Sequence, residues 1–596
     1  MRLFICIVKR TFYSIDVGIY STSTSTTHGL PMRTLVIYLR LALITAIVIT
    51  LPLLSQMAYA KSLYSEGDGE AILIEGSGTY HRKISTDQPV AQDFFDQGLR
   101  YAWGFYFPES IASYQRAAKN DPNHPMIYWG LAHAMGPNPN SRYSGMPDDP
   151  KSEGLRAIRR ALKLVQNAST IEQDMIKALF VLYDKDSIDD DHQRDLAYIQ
   201  AAKQLQKKYP NDPDIASLYA ASFMNVGRWN YWKHDGSPVG DTEKIAKMLE
   251  RTLESHPNHP GANHLYIHLM EASREPQRAL DSANRLAATM PMAGHMVHMP
   301  SHIYVRVGQF EKAVASNVES QKVDKEFLEI WGDRPLPNLG TYPLSAKIHA
   351  PHAIDFIKYA ASFQGNYETA INAATKLASK IKSENAKYGR NQKRLSGVCL
   401  VNKMFGRWDK VIGSQPIVSG TPYLDGIWSY CIGSAYLAKG DVGSARQEMG
   451  KMWRIISLSN INQYQIGPTP VSSILRIAAL GLSGEIKQAS GDTNSAILDF
   501  EAAVAIEDNN GYIEPPDWPQ PMRHYLGAAL LEAGRANEAE VIYREDLEWH
   551  QNNGWALFGL WQSLAAQGKS KEAKIVYEKY EHAWRNADTK LVRSRL

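Results

Sequence analysis

The sequence predicts an all-α solenoid, with about ten helical hairpins stacked into a right-handed superhelix behind an N-terminal signal segment. Three observations predict it. First, similar segments recur, each opening on a glycine and continuing as an amphipathic helix: GQFEKAVASNVES from Gly308, GNYETAINAATKL from Gly365, GDVGSARQEMGKM from Gly440, GDTNSAILDFEAAVAIED from Gly491, GRANEAEVIYREDL from Gly534 and GKSKEAKIVYEKY from Gly568. Second, the neighbouring steps Arg274 to Gly308, Gly406 to Gly440 and Gly534 to Gly568 each span 34 residues, the length of a helix–turn–helix unit. Third, the 596 residues are 44% hydrophobic and 21% charged, with 30 prolines and 41 glycines scattered singly. That is too long for one core and too ordinary for low complexity. Stacked units of this kind wind into a superhelix with a concave inner face.

The elements follow in order. Met32 opens a segment with Arg33 and Arg40, an apolar stretch from Leu41 to Leu54, and Ala58-Tyr59-Ala60. This is the form of a secretory signal, with cleavage expected after Ala60. The alternative is an uncleaved membrane anchor, against which Arg40 keeps the apolar run shorter than the ~20 residues a span needs. Residues 1–31 read as an over-extended start. A linker is expected over 61–90, an N-terminal repeat array over 91–384 and a C-terminal array over 385–596. Location is expected to be periplasmic or secreted, with no stable membrane span after cleavage.

DFFDQGLRYAWGFYFPESIASYQRAAKNDPNHP, from Asp93 to Pro125, carries two helices, with Ser110, Tyr114 and Ala117 on one face of the second and Pro122 closing it. This segment and the glycine-led ones resemble the tetratricopeptide repeat (TPR). YWGLAHAMGPNPN, HPGANHLYIHLMEAS, HMPSHIYVRVGQFEKAV, EPPDWPQPMRHYLGAALLEAGR and NNGWALFGLWQSLAAQG further resemble exported bacterial TPR proteins of undefined activity. The resemblance implies fold and export, and a protein or peptide ligand in the concave groove; it implies no reaction.

Removing residues 1–60 leaves 60 basic against 61 acidic residues, a balance that offers no net basic surface to nucleic acid. Cys399 and Cys431 either pair, if the fold brings their Cα atoms within ~7 Å, or serve as small buried hydrophobes.

Nine of the 18 histidines lie between His256 and His352. Counting repeats from Pro260, Gly294 and Pro351, the second, fifth and ninth places hold Gly261, His264, His268; His295, His298, His302; and His352, Asp355, Tyr359. Spacings of three and four put each set on one helix face. The TPR resemblance implies that these faces line the groove. Helices packed ~8–10 Å apart let side chains of two repeats converge. His264, His268, His298 and His302 are therefore the expected ligands of a single transition metal ion, with His295, His352 and Asp355 as additional candidates. Imidazole nitrogen suits zinc, copper or iron. Glu271, three residues after His268, and His295 are candidate general bases. No HExxH, P-loop or GxSxG motif is present.

Pro300 either kinks the histidine-bearing helix or marks its late start, leaving GHMVHM as a loop. His133 reads as a structural histidine, Asn138 and Asn140 as turn residues, and Met290, Met292, Met296 and Met299 as core. EPPDW from Glu514, ahead of Arg523 and His524, reads as an inter-repeat loop or a lid. Two functions stand open: an exported scaffold binding protein or peptide through its concave face, and a metal-dependent enzyme using the histidine cluster.

Overall fold

The computed structural model describes residues 71–596 except 141–148, 342–343 and 417. The expected signal segment, the cleavage point at Ala60 and the first part of the 61–90 linker lie outside the described residues. Within them the chain is an all-α solenoid of TPR-type hairpins, with a two-residue strand pair, Gln465–Ile466 against Thr469–Pro470, as a minor addition.

Among the described residues twelve helix pairs can be followed, from Pro89–Trp103 with Phe107–Asn120 to Gly554–Ala566 with Ser570–Ala583. Periodicity undercounts them because the pairs between 125 and 255 lack the opening glycine and have longer connections. At each expected glycine, Gly308, Gly365, Gly406, Gly440, Gly491, Gly534 and Gly568, the backbone takes φ between 63° and 83°. This left-handed turn after the first helix is costly for any residue with a Cβ. In the first hairpin the same turn is made by Phe105, at φ 59°.

Two kinds of helix alternate. Every residue of Pro260–Met270 and of Pro300–Arg306 is buried, whereas Leu280–Thr289 buries only Ser282, Ala283 and Leu286. In this part of the solenoid the first helices are thus enclosed and Leu280–Thr289 shows water a polar face. Aromatic wedges hold neighbouring pairs: the Tyr114 ring fills the space that Gly98 and Gly130 leave, and Tyr543 does the same between Gly527 and Gly559.

The superhelix curls back on itself. Arg306 donates to the Trp549 carbonyl (3.1 Å), Asn552 to the Val307 carbonyl (3.2 Å) and the Trp555 indole to the Ser362 carbonyl (3.0 Å). The concave face is consequently a chamber of about 1340 Å³ rather than an open groove. The boundary expected at 384 falls in the 3-10 turn Ser383–Asn385, and one apolar core, from Ala378 to Val576, spans it. Cys399 and Cys431 are buried with Cα atoms 6.3 Å apart and form a disulfide. Among the described residues no helix is long and apolar enough to cross a membrane.

Candidate metal centre

Three inner helices supply the histidines. Pro260–Met270 carries His264 and His268, and Gly294–His298 followed by Pro300–Arg306 carries His295, His298 and His302. Ala346–Phe363 carries His349 and His352. Pro300 breaks the middle helix without delaying its start. Helical bonds precede it (Met299 N–H to His295 O, 2.9 Å), and a tighter one follows (His302 N–H to Met299 O, 3.1 Å). All three histidines of that row stand on helical backbone.

The third helix begins earlier than expected. Pro351 lies inside it rather than at its first turn, so the face continues back to His349, which the reading from Pro351 passed over. The signal was available: His349 and His352 are three residues apart and share a helix face.

The ring orientations follow from what each Nδ1 touches. The His264 Nδ1 hydrogen is donated to the Trp103 carbonyl at 2.6 Å and the His268 Nδ1 hydrogen to Glu271 Oε1 at 2.8 Å. His302 donates to Glu271 Oε2 at 2.5 Å and His349 to Asp324 Oδ2 at 2.9 Å. His298 faces Asn317 Oδ1 at 2.5 Å. Asn317 spends its own amide hydrogens on the Ala313 carbonyl (2.7 Å), so its oxygen must accept and His298 Nδ1 must carry the proton. An acceptor at Nδ1 sets the tautomer and leaves the Nε2 lone pair facing inward, the usual arrangement of a metal-ligating histidine.

Those lone pairs meet. His298 Nε2 and His302 Nε2 stand 2.9 Å apart, and with both protons on Nδ1 there is none between them. Nitrogens bound at 2.0–2.1 Å to one ion are separated by roughly 2.9 Å at a right angle and roughly 3.3 Å in a tetrahedron. Nε2 of His264, His268 and His349, and both ring nitrogens of His295, are buried without a hydrogen-bond partner among the described residues. Burial, reinforced by the neighbouring imidazoles, holds His264, His295, His298 and His352 well below the ordinary histidine pKa. Burial also lowers His302, against the pull of Glu271. Burial thus favours the neutral form of these five rings, the form in which a ring-nitrogen lone pair is available.

Among the described residues, ligand atoms within 4.8 Å of one another form three groups: His264, His268 and His295; His298, His302 and His352; and His268, Glu271 and His302. The expected tetrad of His264, His268, His298 and His302 is not among them. The fifth and ninth residues of one repeat meet the second place of the next, so each pair completes a separate triad. Asp355 is drawn away from the histidines by Lys358 Nζ, 2.5 Å from its Oδ1.

Glu271 is fully buried, and against the penalty of that burial His302 and His268, facing its two oxygens, hold its pKa below the ordinary carboxylate value. With both oxygens engaged, its geometry suits orienting His268 and His302 better than the general-base role expected of it. His295, with two unpartnered nitrogens, keeps both of its expected roles open.

The walls are aromatic. The Phe105 ring sits 4.3 Å from His264 and 5.9 Å from both His268 and His295. Phe356 lies 4.9, 4.5 and 5.2 Å from His298, His302 and His352. The segment before Met522 reaches this region as well: Tyr512 donates to Glu271 Oε2 (3.3 Å), and Glu514 Oε1 is 3.9 Å from His302 Nδ1. Asn509 to Glu514, Asp517 and Pro521 line the chamber. Other candidates are structural: His133 stacks on Trp129 and meets Trp103 edge-on, and His524 is bonded to Asp546 at 3.0 Å. Met290, Met296 and Met299 are core, and Asn138 accepts from the Asn140 backbone in a turn.

No protein-family model and no curated protein matches the chain. Among solved structures it is similar to a monomeric mutant of IFIT1 with Gppp-AAAA, at TM-score 0.32 and 13% identity, covering 78% of this chain and 91% of that one. It is also similar to the human IFIT1 dimer with m7Gppp-AAAA (TM-score 0.32, 14% identity, 77% and 90% covered). A third is the APC/C hetero-tetramer Cut9–Hcn1 (TM-score 0.30, 12%, 72% and 82%). Likeness at these scores carries no argument about ligands, and the class, a TPR-type helical-repeat solenoid, rests on the helices described above.

Proposed function

We propose that this chain is an exported helical-repeat scaffold that binds a late first-row transition metal through its clustered histidines and receives a ligand in the adjoining chamber. The observation that carries the reading is the His298–His302 contact, two inward lone pairs 2.9 Å apart with their protons committed elsewhere. Three neutral imidazoles fit zinc, copper or iron and not calcium or magnesium. Such an ion would supply Lewis acidity at an open coordination position, the basis of the metal-dependent enzyme reading. The chain's own part is to fix the tautomers through Glu271, Asn317 and Asp324 and to wall the site with Phe105 and Phe356.

A second reading, a peptide held in the chamber, is favoured by its volume, about 1340 Å³ against ~300–1,000 Å³ for small-molecule sites. Nucleic acid is left out because the charge balance is near neutral. The leader-like N-terminus motivates export, and the Cys399–Cys431 pair supports an oxidising compartment.

The test is metal analysis of protein purified without a histidine tag. A stoichiometric transition metal is expected, and its loss in the His268→Ala, His302→Ala double variant. Metal-free wild-type protein that takes up no zinc, copper or iron, or metal retained by the folded double variant, would refute the reading.

A further inference from the structure

The two triads are the same device used twice. The first combines the fifth and ninth residues of one repeat, His264 and His268, with the second residue of the next, His295. The second combines the fifth and ninth residues of that next repeat, His298 and His302, with the second residue of the one after, His352. His264 to His298 and His268 to His302 are both steps of 34 residues, so the solenoid repeat itself duplicates the ligand set. Each triad has its own phenylalanine floor, Phe105 for the first and Phe356 for the second.

One group joins them. Glu271 engages His268 of the first triad through Oε1 and His302 of the second through Oε2, at 2.8 and 2.5 Å. Both Nδ1 atoms are thereby committed outward, and one carboxylate orients a ligand in each triad. The chamber reaches both, since His268 and His295 of the first triad and His302 and His352 of the second line it. From this geometry we propose that the protein holds two late first-row divalent cations, one in each histidine triad, with Glu271 as their shared outer carboxylate. This rests on the metal-binding reading above and goes beyond it in number, position and coupling of the ions.

The experiment is zinc titration of metal-stripped protein followed by anomalous diffraction at the zinc edge. Wild-type protein should bind two equivalents. His264→Gln with His295→Gln should leave one equivalent, His298→Gln with His352→Gln should leave one, and all four together none. The anomalous map of the wild type should show two peaks, one within each triad; it needs no variant, so it decides the matter even where a variant fails to fold. One equivalent, with a single peak shared between the triads or confined to one of them, would overturn the two-ion proposal and leave metal binding standing. No peak, or peaks away from these histidines, would overturn both.

Discussion

Replacing Glu271 by glutamine tests the outer carboxylate without emptying either triad. The wild-type carboxylate accepts an N–H from His268 on one oxygen and from His302 on the other, at 2.8 and 2.5 Å. Glutamine is nearly the same shape but has one oxygen and one NH2 group. Whichever histidine faces the NH2 meets donor against donor, and relief comes by moving its proton from Nδ1 to Nε2. That ring then presents N–H instead of a lone pair, and its triad falls from three ligands to two. The other ring keeps an acceptor, but a neutral one. Loss of such an outer partner typically costs 10–100-fold in metal affinity, or ~1.4–2.7 kcal/mol. Folding should suffer less where His302 is the ring that flips, because it accepts from the new NH2 and its Nε2–H faces His298 Nε2 at 2.9 Å. The assay is competition with a chromophoric zinc chelator at pH 7.5, paired with a thermal melt of the metal-free variant. A folded Glu271→Gln protein that binds zinc within about twofold of wild type would show that Glu271 does not orient these ligands.

Two further predictions concern stability. Metal-free protein should lose stability on acidification from pH 6.5 to 5, because His264, His295, His298, His302 and His352 have lowered pKa values in the fold and take up protons more readily when unfolded. Each contributes a slope of up to ~1.4 kcal/mol per pH unit. His124, His133 and His234, also lowered by burial, act in the same sense. Glu109 and Glu507, pushed up by burial to about 8, act with the opposite sign over this range, as do the smaller upward shifts of Asp96, Asp195 and Asp425. The lowered histidines outnumber the raised carboxylates, so the loss should prevail. A melting temperature that is flat or rising from pH 7 to 5 would contradict the sign. At the hairpin turns, Gly440→Ala meets open space and should cost only the roughly 1–2 kcal/mol of a left-handed backbone. Gly365→Ala adds a collision with the Trp584 indole and should melt measurably lower; equal melting temperatures would refute the packing described there.

Much of this was legible along the chain. The hairpin glycines announce their turns because a φ near 70° excludes most other residues. The histidine row is visible because spacings of three and four repeat on one face. Phe105 escaped notice because the first hairpin makes its turn one residue after Gly104, placing a phenylalanine at φ 59° with its ring against His264. His349 escaped because proline usually opens a helix, whereas here Pro351 lies inside one.

Sequence by itself determined the repeat and which histidines share a face, since both follow from local periodicity. Tertiary structure alone decided how the faces combine. Residues such as His268 and His302, or Tyr512 and Glu271, are remote along the chain, and their distances depend on how each helix pair is wedged against the next. A superhelix that stayed open would carry the same histidine row. Only the packing of its inner helices divides that row into two triads joined by one carboxylate, and only the return of the last repeats to Arg306 turns the groove beside them into a chamber.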